Sequence, residues 1–194
     1  MGKRQRTPQN EQPFALGAPT TRANAYRVLR AMQLRKPVLL EGSPGVGKTS
    51  LVQALGTACG HRVVRINLSE QTDLMDLLGS DLPVEGAAAG TYAWHDGPFL
   101  AAMRAGDWVI LDELNPTVDL ELLPVEPILQ TLLRKPAETE VIITGRCKNP
   151  PAYFDLASIH SEMVCHKHYA EQGVDLKRGV DSVSYTHLRA HETV

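Results

Sequence analysis

Val38-Leu39-Leu40-Glu41-Gly42-Ser43-Pro44-Gly45-Val46-Gly47-Lys48-Thr49-Ser50 is the stretch that decides the fold. The apolar run Val38 to Leu40 reads as a short strand covered on both faces, as in the middle of a parallel sheet. Gly42 to Thr49 then fits G-x-x-x-x-G-K-[ST] in full, and Lys48 to about Cys59 reads as a helix ended by Gly60. Strand, glycine turn and helix in that order make a phosphate cradle. The glycines permit backbone conformations and a close approach that a Cβ forbids. Successive N–H groups turn inward as an anion nest, and the helix N-terminus adds its partial positive charge. On this reading Gly42, Ser43, Pro44, Gly45, Val46, Gly47, Lys48, Thr49 and Ser50 hold a nucleotide. Lys48 reaches the β- and γ-phosphates and the Thr49 hydroxyl ligates Mg²⁺, so ATP and Mg²⁺ are the expected cofactors.

Val109-Ile110-Leu111-Asp112-Glu113 supplies the complement, an apolar strand ending in two acids. Ligands of open parallel sheets lie beyond the carboxyl ends of the strands, so both carboxylates are expected to face the phosphates. Asp112 is expected to hold Mg²⁺ through water, and Glu113 to orient and deprotonate the attacking water. Lys48 and Glu113 are therefore the catalytic candidates, with Thr49 and Asp112 as the Mg²⁺ ligands.

Working outward, the spacing predicts a helix capped at Thr20 or Thr21 and running to about Gln33, and a strand at Arg62–Leu68. A helical pattern covers Glu70–Gly79. Tyr92 and Trp94 fall on a hairpin strand turned at Asp96-Gly97, followed by a helix at Pro98–Ala105 and a buried strand at Trp108–Leu111. A helix at Val125–Leu133 and a strand at Glu140–Thr144 complete the pattern; likeness to P-loop ATPases implies that this strand lies between the glycine-loop strand and the Asp112 strand. Beyond Gly145 only a helix-like Tyr153–Ile159 is read. Strands separated by helices predict α/β, a three-layer P-loop NTPase fold with a mostly parallel sheet.

A formal charge of −2 gives no signal for direct nucleic-acid binding, and the basic Lys3-Arg4-Gln5-Arg6 reads as a solvated terminus. No run approaches the ~20 apolar residues of a membrane span. Cys59, Cys147 and Cys165 are odd in number without metal spacing, and are expected to be reduced thiols of an intracellular protein. His160, His166 and His168 lack zinc-site spacing and read as exposed polar residues. Tyr92 and Trp94 read as hairpin aromatics packed on a core rather than a ligand-stacking pair.

Phe14-Ala15-Leu16, Ala18-Pro19-Thr20-Thr21, Pro37–Leu51, Arg65–Leu77, Gly79–Val84 and Trp94–Asn115 resemble the modules of midasin-type, dynein-related AAA+ ATPases, over about residues 13–115. The resemblance implies an AAA+-like fold and ATP hydrolysis coupled to remodelling of pre-60S ribosomal particles. It also implies neighbouring AAA+ modules as partners, a nuclear location, and an insertion at 70–98. In that family a polar sensor, an arginine finger and a helical lid follow. Thr144 or Asn149 is the candidate sensor; the lid is expected to be absent. Loss of an arginine finger lowers phosphoryl transfer by about 10³–10⁵-fold, so impaired hydrolysis is expected.

Leu111–Leu120, Val141–Arg146, Asp155-Leu156-Ala157, Ser161-Glu162-Met163, Lys167-His168 and Gly179-Val180-Asp181 are instead similar to bacterial corrinoid adenosyltransferases, over about 111–181. That resemblance implies transfer of the adenosyl group of ATP to cobalt(I), a corrinoid partner and a bacterial cytoplasm. Both families share Leu111-Asp112-Glu113-Leu114-Asn115. The chain therefore reads as a hybrid joined in that stretch, with a divergent family holding both halves as the alternative. Val183 to Thr193 looks like a translated transposase-type sequencing adapter. The expected division is an irregular lead-in at 1–19, an AAA+-like half at 20–115, a transferase-like half at 116–182 and an artefactual tail at 183–194. A nucleotide-binding fragment without catalysis is the third reading.

Overall fold

The computed structural model describes residues 14–163 apart from Pro44, Ala87, Ala89 and Cys147. Expectations placed on the lead-in before Phe14, on His166 and His168, on Cys147 and Cys165, and on the adapter-like tail lie outside the described residues.

Helix α1 (Pro19–Met32) leads into strand β1 (Val38–Gly42), and the glycine loop then opens α2 (Lys48–Cys59). The cap of α1 is Ala18 without a side-chain bond, not Thr20 or Thr21. Pro19 at the first helical position explains the earlier start, because its fixed φ already suits a helix and its missing N–H would have no partner there. Strand β2 (Val63–Asn67) follows. The helical pattern expected over Glu70–Gly79 shrinks to α3 (Leu74–Leu78), because Asp73 and Asp76 cap it reciprocally through each other's backbone N–H.

Of that pattern only Gly79 enters a strand, β3 (Gly79–Pro83), which is antiparallel to β4 (Tyr92–Asp96), with Asp81 opposite Trp94. Asp96-Gly97 is therefore not the hairpin turn. Gly97 instead caps α4 (Pro98–Ala105), where Pro98 again sits at the helix start. Tyr92 and Trp94 are 62% and 51% exposed, so they do not pack on a core as expected. The two-stranded ribbon turns this face to solvent, and Trp94 Nε1 donates to Asp96 Oδ1 at 2.8 Å.

Strand β5 (Trp108–Asp112) is buried throughout and runs through Glu113 into α5 (Leu114–Asp119). Helix α6 (Val125–Leu133) and strand β6 (Val141–Thr144) match the sequence pattern closely. A 3-10 turn at Ala152–Leu156 and strand β7 (Ile159–Met163) replace the helix-like reading of Tyr153–Ile159. β7 pairs in parallel with β1, placing His160 opposite Leu39.

The main sheet is ordered β2-β5-β6-β1-β7, and every pairing in it is parallel. Alternate residues of its central strands point to opposite faces. Leu39, Val109, Leu111, Val141 and Ile143 join one core with Phe99, Met103, Leu114, Ile128 and Leu132. Val38, Leu40, Ile110 and Ile142 join the other with Val28, Met32, Leu51 and Leu55. Helices therefore cover both faces, which makes three layers. Each fully buried Leu, Ile or Val stabilises by about 1.5–3 kcal/mol, so this double covering anchors the strand ends that carry polar residues. β6 lies between β1 and β5, with Ile142 in register with both Val38 and Ile110.

Candidate nucleotide site

Because the strands are parallel, β1, β5 and β6 deliver Gly42, Asp112 and Thr144 to the same edge of the sheet. Gly42 has φ 145°, and a Cβ there would stand 2.5 Å from the carbonyl oxygen of Met163 at the end of β7. Gly47 has φ 85° and starts α2 from the left-handed region that favours glycine. Lys48 is only 6% exposed, and its Nζ donates to the carbonyls of Gly42 at 2.9 Å and Ser43 at 3.0 Å. Gly45 and Val46 form the outer part of the loop, and Ser50 is exposed one residue after Thr49.

Thr49 Oγ1 donates to Asp112 Oδ1 at 3.0 Å, joining the glycine-loop helix to the acidic strand. Thr144 Oγ1 donates to the same oxygen at 2.5 Å and accepts from the Glu113 amide at 3.2 Å. The Arg65 guanidinium covers Asp112 Oδ2, with Nε at 2.8 Å and Nη2 on the same oxygen. Burial acts to raise the Asp112 pKa, but the hydrogen bonds from Thr144, Arg65 and Thr49 and the Arg65 charge outweigh it and hold the carboxyl below its ordinary value.

Glu113 follows with φ 63°, a left-handed conformation that swings the chain from β5 into α5. Burial pushes its carboxyl above the usual glutamate value, and Asp112 adds to this, while Lys48, Arg146 and Arg65 oppose it. Burial lowers the Lys48 amine, against the pull of Glu113 and Asp112. Glu113 and Lys48 thus act on each other electrostatically, and burial works against the charged form of each.

Behind them, Asn115 Nδ2 donates to the Gly145 carbonyl at 2.9 Å, and the Tyr153 hydroxyl donates to Asn115 Oδ1 at 2.9 Å. This buried network fixes the turn after Thr144. Gly145 has φ 115°, and a Cβ on it would stand 2.4 Å from Pro116 Cδ. Arg146 extends from that turn to Ser43 Oγ.

The residues fit a Mg²⁺-nucleotide. A glycine loop, a buried amine turned into it, and a hydroxyl–carboxylate pair 3.0 Å apart at a helix start lie together on one edge of the sheet. The structure brings Gly42, Ser43, Gly45, Val46, Gly47, Lys48, Thr49, Asp112 and Glu113 together there; Pro44 is outside the described residues. Of the two sensor candidates, Thr144 touches both acids, whereas the Asn149 amide binds Asp119 Oδ1 at 3.2 Å. Arg65, Asn115 and Arg146 lie in the stretches that carry the two resemblances, but the sequence assigned none of them a role at the site. The signal for Arg65 lay in its register position, since β2 pairs Asn67 with Asp112 and so sets Arg65 two residues back on the same face. His160 binds Glu41 Oε2 at 2.7 Å, and among the described residues no cluster of three or more His, Cys, Asp or Glu is grouped for a metal. Among them, too, no helix is long and apolar enough to cross a membrane.

Comparison with known proteins divides the chain in two. Residues 85–182 match the family described as ATP:corrinoid adenosyltransferase BtuR/CobO/CobP, and residues 37–130 match the AAA domain of the dynein-related subfamily. The overlap, 85–130, contains β5 and both acids. Midasin of Dictyostelium discoideum is 67% identical over 102 residues, which are 53% of this chain and 2% of that protein. Corrinoid adenosyltransferase CobA of Salmonella typhimurium is 37% identical over 95 residues, 48% of this chain and 47% of that protein. The chain thus spans less than half the length of either relative. A crystal structure of a candidate ATPase from Cytophaga hutchinsonii superposes with a TM-score of 0.55 at 18% identity, covering 79% of this chain and 49% of that one. At that identity the likeness speaks to the fold alone, and it agrees with a P-loop NTPase architecture. Both resemblances read from the sequence are borne out, and the chain is a composite of midasin-like and corrinoid-transferase-like segments.

Proposed function

Because the chain belongs to the ATP:corrinoid adenosyltransferase BtuR/CobO/CobP family through residues 85–182, and matches a dynein-related AAA domain through residues 37–130, we propose that it is a P-loop module that binds Mg²⁺-ATP and hydrolyses it slowly. The observation that carries this reading is the 3.0 Å contact between Thr49 and Asp112, which unites the glycine loop with the acidic strand.

Gly42 to Thr49 would wrap the phosphates with backbone N–H groups, and Lys48 would turn its amine from the loop carbonyls to the β- and γ-oxygens. Thr49 and Asp112 would hold Mg²⁺, which when bound supplies positive charge to the phosphates. Glu113, raised by burial, would take the proton of the attacking water. Thr144 keeps Asp112 and Glu113 in register with each other. Turnover is slow on this reading because Arg65 already neutralises Asp112 Oδ2, and because an isolated chain receives no second arginine from a neighbouring module.

The test compares wild type with Lys48→Ala by equilibrium titration with a fluorescent ATP analogue and by phosphate release. Wild type should bind and Lys48→Ala should bind at least 10-fold more weakly, with wild-type turnover well below the 1–10³ s⁻¹ usual for enzymes. Equal binding by the two chains rejects the site, and turnover within that usual range rejects slow hydrolysis.

Through its midasin-like half the module would work beside other AAA+ modules on pre-60S particles in a nucleus. The match over 85–182 favours a second reading, adenosyl transfer from ATP to a cobalt(I) corrinoid in a bacterial cytoplasm. A spectral change on mixing the chain with reduced corrinoid and ATP, lost in Lys48→Ala, would select the second.

A further inference from the structure

Arg146 stands two residues beyond Thr144, where the chain leaves β6, and its guanidinium donates to Ser43 Oγ on the glycine loop. The sheet order explains how it arrives there. β6 lies between β5 and β1, so a residue just past its end hangs over the gap between the two acids and the loop. Asn115 and Tyr153 hold the Gly145 turn from behind, which aims the next residue at that gap.

Two cations therefore converge on the start of the glycine loop, since Lys48 binds the Gly42 and Ser43 carbonyls and Arg146 binds the Ser43 side chain. Arg146 acts electrostatically on both Lys48 and Glu113, lowering each. Like charges so placed repel, and water around the exposed Arg146 screens part of that repulsion. An anion between the two would turn the repulsion into attraction, and a guanidinium is suited to phosphate oxygens by its planar fork of donors.

We propose that Arg146 is a phosphate-binding residue supplied in cis, which contacts the terminal phosphate of a bound triphosphate and so lets the site prefer ATP to ADP. This rests on the nucleotide reading above and adds the origin of its triphosphate selectivity. Lys48 serves both nucleotides, whereas Arg146 serves the group that only ATP carries.

The experiment is an equilibrium titration of the full chain with Mg²⁺ and fluorescent analogues of ATP and ADP, for wild type, Arg146→Ala, Arg146→Lys and Lys48→Ala. Far-UV circular dichroism and thermal melting monitor folding of each. Arg146→Ala should lose about 10–100-fold in ATP affinity, the scale of a charge-assisted hydrogen bond, with ADP affinity changed by less than about 2-fold. Arg146→Lys should recover part of the ATP affinity. Equal loss for both nucleotides would show that Arg146 only props the loop, and no loss would show that it is a bystander; either overturns the proposal. Failure of wild type to bind either nucleotide overturns the site reading and this proposal with it. Retained ATP preference in Arg146→Ala overturns the proposal alone.

Discussion

Replacing Thr144 by valine removes one hydroxyl with little change of volume at a fully buried position. Two hydrogen bonds go with it, one donated to the ionised Asp112 at 2.5 Å and one accepted from the Glu113 amide at 3.2 Å. A bond to a charged group contributes about 1.5–3 kcal/mol and a neutral one about 0.5–1.5 kcal/mol. The added methyl recovers ~0.8 kcal/mol of burial. The expected net loss is about 2–3 kcal/mol, or roughly 4–12 °C in Tm for a chain of this size.

Urea unfolding followed by tryptophan fluorescence measures it, because Trp108 is buried and stacked on His61 with ring centroids 5.0 Å apart. Thr144→Ser keeps the hydroxyl and should lose much less. The pH dependence supplies a second check. Asp112 is depressed in the fold, so its contribution is complete above its unfolded pKa and is lost as pH falls through the folded one. The gap between wild type and Thr144→Val should therefore be full at pH 7 and narrow below the ordinary aspartate range. A loss under about 0.5 kcal/mol at pH 7, or a gap that widens in acid, would refute the role given to this hydroxyl.

Glu113→Gln keeps the shape of the proposed base but removes its proton affinity. Phosphate release should fall by about 10²–10⁴-fold while ATP affinity holds, as a single-turnover assay would read. Glu140 carries a buried oxygen with no hydrogen-bond partner, and burial pushes its pKa up to about 7 against the pull of Lys135. An acid raised in the fold contributes stability that is complete below its unfolded pKa and is lost as pH rises through about 7. Glu140→Gln should thus be more stable than wild type at pH 8 by about 1–2 kcal/mol, allowing for solvent screening, and nearly equal at pH 4, as paired thermal melts would show. Gly145→Ala meets both a left-handed backbone and Pro116 Cδ, so a loss of about 2–4 kcal/mol is expected in urea titration.

The centre of the sheet was legible because its signals are local. Val38–Leu40, the glycine loop and α2 form a continuous text, and Val109–Glu113 carries its own apolar run and acids. Helices α4 and α6 also declare themselves, through apolar spacing and a proline at or near each start. The placement of β6 between β1 and β5 followed from the fold expected of such a loop.

The edges were less readable. β7 is Ile159-His160-Ser161-Glu162-Met163, whose alternation is diluted by three polar residues; it becomes a strand because β1 offers a free edge. α5 was hidden by Pro116, which a first helical turn tolerates because its missing N–H has no partner there. The site's outer residues were hidden for a different reason. Arg65, Asn115 and Arg146 each acquire a partner only when strands or turns distant in sequence are brought side by side.

The order of strands in space also sets a timetable for making the molecule. β1 is made well before the strands that flank it, β6 and β7, which are encoded at residues 141–144 and 159–163. At about 5–20 residues per second, a nascent Val38-Leu39-Leu40 waits several seconds or more with both backbone edges unpaired. Such an apolar, doubly open segment is a template for association with other chains. A ribosome that stopped in the stretch common to the two families would release the glycine loop and both acids without the strand that sits between them. Productive folding is therefore a late, long-range event, and chaperone supply during synthesis should govern the soluble yield.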